Sequence, residues 1–159
     1  MEGGREDKND AMDRNAFVTR DLPLPQPTSD NADFYAAARR GELVFQKCSA
    51  CGTFRHYPRP ACPQCLSREF RWERSSGTGS IYTWTIARGP TLPAFQDKLP
   101  YNIVDVLMDE GVHFVSEVLD CEPEEIYAGM RVQATFVAVS EDITLVKFRR
   151  CGESGTSGP

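Results

Sequence analysis

Four cysteines stand in two tight pairs, Cys48-Ser49-Ala50-Cys51 and Cys62-Pro63-Gln64-Cys65, with ten residues between the pairs. Each Cys-x-x-Cys can wrap one flank of a metal ion, and two such pairs supply the four thiolates of a closed tetrahedral site. Gly52 after the first pair and Pro63 within the second suit turns that aim backbone amides at sulfur. Zinc is the expected metal, because it has no redox chemistry and accepts a tetrahedral thiolate shell. Iron in a rubredoxin-like site is the alternative, since the Cys-x-x-Cys-Gly knuckle suits both ions. A closed four-thiolate shell leaves no position for substrate, so the metal is read as structural. Two other chemistries use such cysteines. A thioredoxin-like redox motif needs only one pair, at a helix start after a strand. Disulfides need an oxidising compartment, and Met1-Glu2-Gly3-Gly4-Arg5-Glu6-Asp7 has no apolar core of the signal-peptide type. A soluble, cytoplasmic protein is expected. The remaining cysteines are Cys121, read as a small buried hydrophobe, and Cys151, read as exposed beside the Gly/Ser-rich end.

The chain offers little for catalysis. Its two histidines, His56 and His113, have no spacing that makes a triad or a metal site. Both are expected to be structural or surface residues, and no catalytic residue is assigned. The net charge of −5 hides an asymmetry: Arg39 to Arg74 holds eight basic and three acidic residues, so this segment is +5 and the rest −10. A basic patch on an acidic protein suits a phosphate-bearing ligand, an acidic partner surface, or simply a solvated face. Within it, His56 between Arg55 and Arg59 is placed to meet a phosphate.

The elements that must position these groups follow from pattern. At 159 residues the chain has room for one domain and a small satellite. No apolar stretch is long enough to span a bilayer. Residues 1–21 read as a disordered tail. Leu22-Pro23-Leu24-Pro25-Gln26-Pro27 reads as an extended arm, because each proline disfavours helix before it. Ser29 or Asp30 caps a helix to about Arg40, with Phe34, Tyr35 and Ala38 on one face and Gly41 as its stop. Together, 22–42 form the arm and helix. Residues 43–74 form a zinc ribbon: a strand over Leu43–Lys47, the first knuckle, a loop from Thr53 to Pro60, the second knuckle, and a strand over Glu69–Arg74. Ser75-Ser76-Gly77-Thr78-Gly79 marks a boundary.

Beyond it the chain is strand-like. Five short antiparallel strands are expected: Ser80–Ile86, Asn102–Asp109, Val112–Leu119, Arg131–Val139 and Ile143–Phe148. A helical turn at Glu122–Ile126 precedes the fourth. This predicts a Greek-key barrel of the OB type over 75–150, with an SH3-like barrel as competitor, and a flexible tail over 151–159. The connection Arg88–Pro100 is stiffened by prolines yet carries Leu92, Phe95 and Leu99, which must pack on the barrel or meet a partner or ligand. The fold class is thus mainly β: helix, rubredoxin-like ribbon, five-stranded barrel.

These segments resemble a known family. The matching residues run from Phe34-Tyr35 and Gly41-Glu42-Leu43 through Cys48-Ser49-Ala50-Cys51-Gly52 to Tyr57-Pro58-Arg59-Pro60-Ala61-Cys62-Pro63-Gln64-Cys65. They continue with Ser76-Gly77-Thr78-Gly79-Ser80-Ile81-Tyr82-Thr83-Trp84-Thr85, Pro100-Tyr101-Asn102-Ile103-Val104, Asp109-Glu110-Gly111 and Gly129-Met130-Arg131-Val132. They are similar to the domain-of-unknown-function 35 family, which joins a rubredoxin-like zinc ribbon to an acyl-CoA-associated OB-fold. The resemblance implies an accessory subunit of a thiolase-like, hydratase or aldolase enzyme acting on acyl-CoA thioesters, in lipid or steroid side-chain metabolism. It implies zinc on Cys48, Cys51, Cys62 and Cys65. Arg55, His56, Arg59, Arg88 and Phe95 are the residues expected to touch a ligand or partner, with acyl-CoA as the ligand. Two other functions stay open. Single-stranded nucleic acid could stack on Trp72, Tyr82 and Trp84, though the acidic barrel half disfavours it. A small independent enzyme or iron-based electron carrier is the third.

Overall fold

The structure, a computed structural model, describes residues 23–152. The expected tail 1–21 and most of the expected tail 151–159 lie outside the described residues. Helix α1 (Ala32–Arg39) begins one turn after the proline arm. Its N-cap is Asn31 rather than Ser29 or Asp30; the Asn31 side chain accepts the Thr28 N–H at 2.6 Å, closing the approach turn instead of the helix. At the other end Gly41 adopts φ +74°, and the amides of Gly41 and Glu42 fold back onto the carbonyls of Ala38 and Ala37.

Strands β1 (Val44–Cys48), β2 (Phe54–Arg55) and β3 (Phe70–Arg74) form a three-stranded antiparallel sheet in the order β2-β1-β3. The pair Phe54–Arg55 was expected to be loop; it is a strand because it returns from the first knuckle alongside Gln46 and Lys47.

The second sheet coils into a barrel of strands β4 (Thr78–Ala87), β5 (Tyr101–Met108), β6 (His113–Ser116), β7 (Val118–Leu119), β8 (Arg131–Ala138) and β9 (Thr144–Arg150), ordered β6-β5-β4-β8-β9-β7. The expected third strand breaks at Glu117 into β6 and β7, and β7 pairs parallel to β9, not antiparallel. Closure is the physical reason. Asn102, buried on β5, donates to the Val118 carbonyl at 2.9 Å and accepts the Val118 N–H at 2.8 Å. Ser116 donates to the Val146 carbonyl, and Glu117 accepts from Phe148. These bonds satisfy backbone groups that an open edge would leave bare. Gly79 sits where β4 crosses β5: a Cβ there would lie 2.7 Å from the Leu107 carbonyl and from Val106. The Glu122–Ile126 turn is a 3-10 turn, Pro123–Glu125, with a reciprocal Glu122/Glu125 capping box.

One core runs through both sheets. Phe34 and Ala38 from the helix, and Leu43 and Phe45 from the root of the ribbon, pack with Val104, Val106, Met108, Phe114, Val132 and Phe148 of the barrel. Each large apolar side chain fully buried there contributes about 1.5–3 kcal/mol. Among the described residues no helix is long and apolar enough to cross a membrane.

Candidate metal centre and barrel groove

The two knuckles are delivered by the sheet. Cys48 ends β1 opposite Phe70, and the second knuckle is carried back by the chain between β2 and β3. The four Sγ atoms of Cys48, Cys51, Cys62 and Cys65 all lie within 4.8 Å of one another. The Cys48–Cys65 and Cys51–Cys62 separations are both 3.6 Å. Four sulfurs about 2.3 Å from a central ion define a tetrahedron with edges of about 3.8 Å, so the donor set fits such an ion. None of the six cysteines is in a disulfide.

Electrostatics agree with thiolate chemistry. The amide of Cys51, then that of Ala50, aims at Cys48 and lowers its thiol. The Thr53 hydroxyl, 3.2 Å away, and then the Thr53 amide draw the Cys51 thiol down to about 6. At Cys65 the Ser67 amide acts in the same direction, but the sulfurs of Cys51, Cys48 and Cys62 together with burial outweigh it, pushing Cys65 up to about 12. Four thiolates in contact repel, so the last proton stays unless a cation replaces it.

The expected ligand- or partner-contacting residues do not converge. Arg55 and His56 turn inward. Arg55 is buried, its guanidinium carbon 4.9 Å from the Phe70 ring centre. The His56 ring stacks on Phe114 of the barrel at 4.3 Å and 10°, with Phe45 at 5.3 Å. Burial pushes His56 down to about 3, so the imidazole is neutral near pH 7 and adds no charge for a phosphate. Arg59 is exposed, its amide tied to the Gln46 side chain at 3.0 Å. Arg88 lies 3.7 Å from Glu124 on the barrel. Phe95 lies in a 3-10 turn, Pro93–Lys98, 5.8 Å from the Tyr101 ring.

Phe95 lines a groove of about 910 Å³ on the barrel, shared with Pro23 and Leu24 of the arm. Lys98, Tyr101, Leu145 and Lys147 also line it, and Lys147 pairs with Glu117 at 2.7 Å. The proline arm and the stiff apolar connection thus meet at one surface.

A pairing missed in the sequence lies on the outer barrel face. His113 Nδ1 sits 2.9 Å from an Asp105 carboxylate oxygen, with Tyr82 edge-on at 5.1 Å. Strand alternation across the Asp109-Glu110-Gly111 turn was the available signal: Leu107 faces His113 and Asp105 faces Val115, so Asp105 and His113 are diagonal neighbours.

The chain matches two family models: residues 36–71 fit the ChsH2 rubredoxin-like zinc ribbon domain and residues 72–137 the ChsH2 C-terminal OB-fold domain. It is 36% identical over 127 residues to a probable enoyl-CoA hydratase alpha subunit of Thermomonospora curvata, covering 80% of this chain but only 39% of that protein. It is 34% identical over 101 residues to a DUF35 domain-containing scaffold protein of Methanocaldococcus jannaschii, covering 63% of this chain and 71% of the relative. A solved chain titled Ltp2-ChsH2(DUF35) aldolase superposes with a TM-score of 0.72 at 35% identity, over 80% of this chain and 98% of that one. The chain belongs to the DUF35 family, and its mainly β fold joins a rubredoxin-like zinc ribbon to a C-terminal OB-fold.

Proposed function

We propose that this protein is a non-catalytic scaffold subunit of an acyl-CoA-processing complex, with a structural zinc ion on Cys48, Cys51, Cys62 and Cys65. The observation that carries the reading is the likeness to the solved aldolase chain, 98% of which is covered at 35% identity. The first relative, named as a hydratase alpha subunit, is more than twice as long as the matched region, so its activity does not transfer by similarity alone. The partner we infer is a thiolase-superfamily enzyme, or a related hydratase or aldolase, acting in lipid or steroid side-chain metabolism. The barrel groove at Phe95 is the surface we assign to acyl-CoA: its apolar walls suit an acyl or pantetheine chain, while Asp97, Glu117, Asp120 and Glu122 beside Lys98 and Lys147 leave the phosphates of CoA outside it. Arg59 and Arg88, both exposed, are the arginines we place at the partner or ligand surface. The protein acts in the cytoplasm on this reading.

The test is affinity capture of the full chain from its native cells, followed by size-exclusion of the tagged protein with each recovered enzyme. A thiolase-like, hydratase or aldolase subunit that co-elutes at fixed stoichiometry is expected. Recovery of none of these classes overturns the proposal.

A further inference from the structure

Arg55 is only 3% exposed, yet among the described residues no carboxylate is buried with it. It enters from β2 directly opposite Gln46 of β1, while Phe70 of β3 stands opposite Cys48. Side chains alternate along strands and match across them, so Gln46, Cys48, Arg55 and Phe70 share one face of the ribbon sheet. The order β2-β1-β3 puts Arg55 and Phe70 on the two outer strands. The guanidinium carbon nevertheless lies 4.9 Å from the Phe70 ring centre, so the side chain reaches across the face that carries Cys48. One N–H donates to the Arg59 carbonyl at 3.2 Å, on the loop that leads into Cys62. Nε and Nη2 are buried and make no hydrogen bond.

A buried guanidinium without an anion is expensive, because it loses hydration and gains no Coulomb partner. A divalent ion in four thiolates is a dianion. We infer that Arg55 is the internal counter-cation of the metal–tetrathiolate centre. It is a positioning residue: its charge offsets the excess negative charge of the shell, and its bond to the Arg59 carbonyl ties the second knuckle to the sheet. The inference rests on the metal reading of the four cysteines.

The test compares zinc-loaded full chains of the parent, Arg55→Lys and Arg55→Gln. Zinc transfer to a colorimetric chelator is followed at equal ionic strength. Arg55→Gln should bind zinc about 10–100-fold more weakly, as for loss of other groups that support metal ligands. Arg55→Lys keeps the charge without the fork and should stay within roughly threefold of the parent. A second readout uses the iron-loaded chain. A nearby cation favours the more negative ferrous shell, so Arg55→Gln should lower the midpoint potential and Arg55→Lys should hold it.

If Arg55→Gln does not fold, Arg55→Lys decides: a folded Lys variant that loses zinc tenfold faster than the parent overturns the charge role. Parent-like zinc retention and potential in Arg55→Gln also overturn it, and would leave Arg55 to packing or to an anion brought by a partner. A parent chain that takes up no metal overturns the metal reading and this inference together, whereas the variant results bear on Arg55 alone.

Discussion

Between residues 48 and 69 the ribbon buries only Cys48, Arg55 and Cys62. Eight-residue β5 alone buries Asn102, Val104, Val106 and Met108. The two regions therefore owe their order to different forces. The barrel excludes water from apolar side chains; the ribbon tip has too few of them, and we propose that four sulfurs gathered round an ion order it instead. The root of the ribbon belongs to neither extreme, since Leu43 and Phe45 lie in the barrel's core. Stability should thus be graded along the ribbon, lowest at the knuckles and highest where β1 leaves α1.

The sharpest way to break this contrast is to remove the metal. Apparent zinc binding in small sites is worth about 10–16 kcal/mol. Chelation, or Cys62→Ser, should abolish amide-exchange protection over residues 48–69 while β5, β8 and β9 stay protected. Collapse of barrel protection at the same chelator concentration would show one cooperative unit. Next in size is Phe45→Ala. Although Phe45 lies in the ribbon, its loss should destabilise the barrel by about 3–5 kcal/mol in urea unfolding, as for other buried phenylalanines.

The third test uses pH. His56 is neutral in the folded protein down to about 3, whereas an unfolded histidine titrates near 6.5. Between these values the unfolded chain binds the extra proton, so stability is full above about 6.5 and falls as pH drops, by up to about 1.4 kcal/mol per unit. Denaturation midpoints between pH 7 and 5, with metal saturating, should show this slope, and His56→Phe should flatten it. The smallest effect belongs to the surface clamp of Arg131 on Asp109, two contacts of 2.8 Å. Arg131, then Thr78, holds Asp109 at about 2. Its contribution is present above the unfolded value near 3.9 and fades towards pH 2. Being exposed, the pair should cost no more than about 1 kcal/mol in Asp109→Asn, read as a shift in urea midpoint at neutral pH.

Sequence reading served best where the determinants are local. Two Cys-x-x-Cys pairs must carry their geometry in their spacing, and the α1 stop needs only Gly41. The barrel strands were legible from alternation. The split at Glu117 was not, because it depends on the side chains of Asn102 and Ser116 reaching the Val118 and Val146 carbonyls across the closed barrel. The inward turn of Arg55 and His56 was hidden for a related reason. Both are polar and sit in a basic loop, which reads as surface; only the tertiary fold sets His56 against Phe114 and Arg55 against Phe70. The Asp105–His113 pair needed the hairpin register, which turn chemistry supplies, combined with a diagonal neighbour that simple alternation does not single out.

The shared core also has a bearing on how such a protein can be cut and joined. The ribbon and barrel models meet between Arg71 and Trp72. That joint falls inside β3, whose five residues each pair with β1. A recombination break there would sever a strand in mid-ladder and strip Phe45 from its neighbours. Gene fusion and fission should therefore move ribbon and barrel as a single cassette, and fusion proteins built from this chain should keep the joint intact.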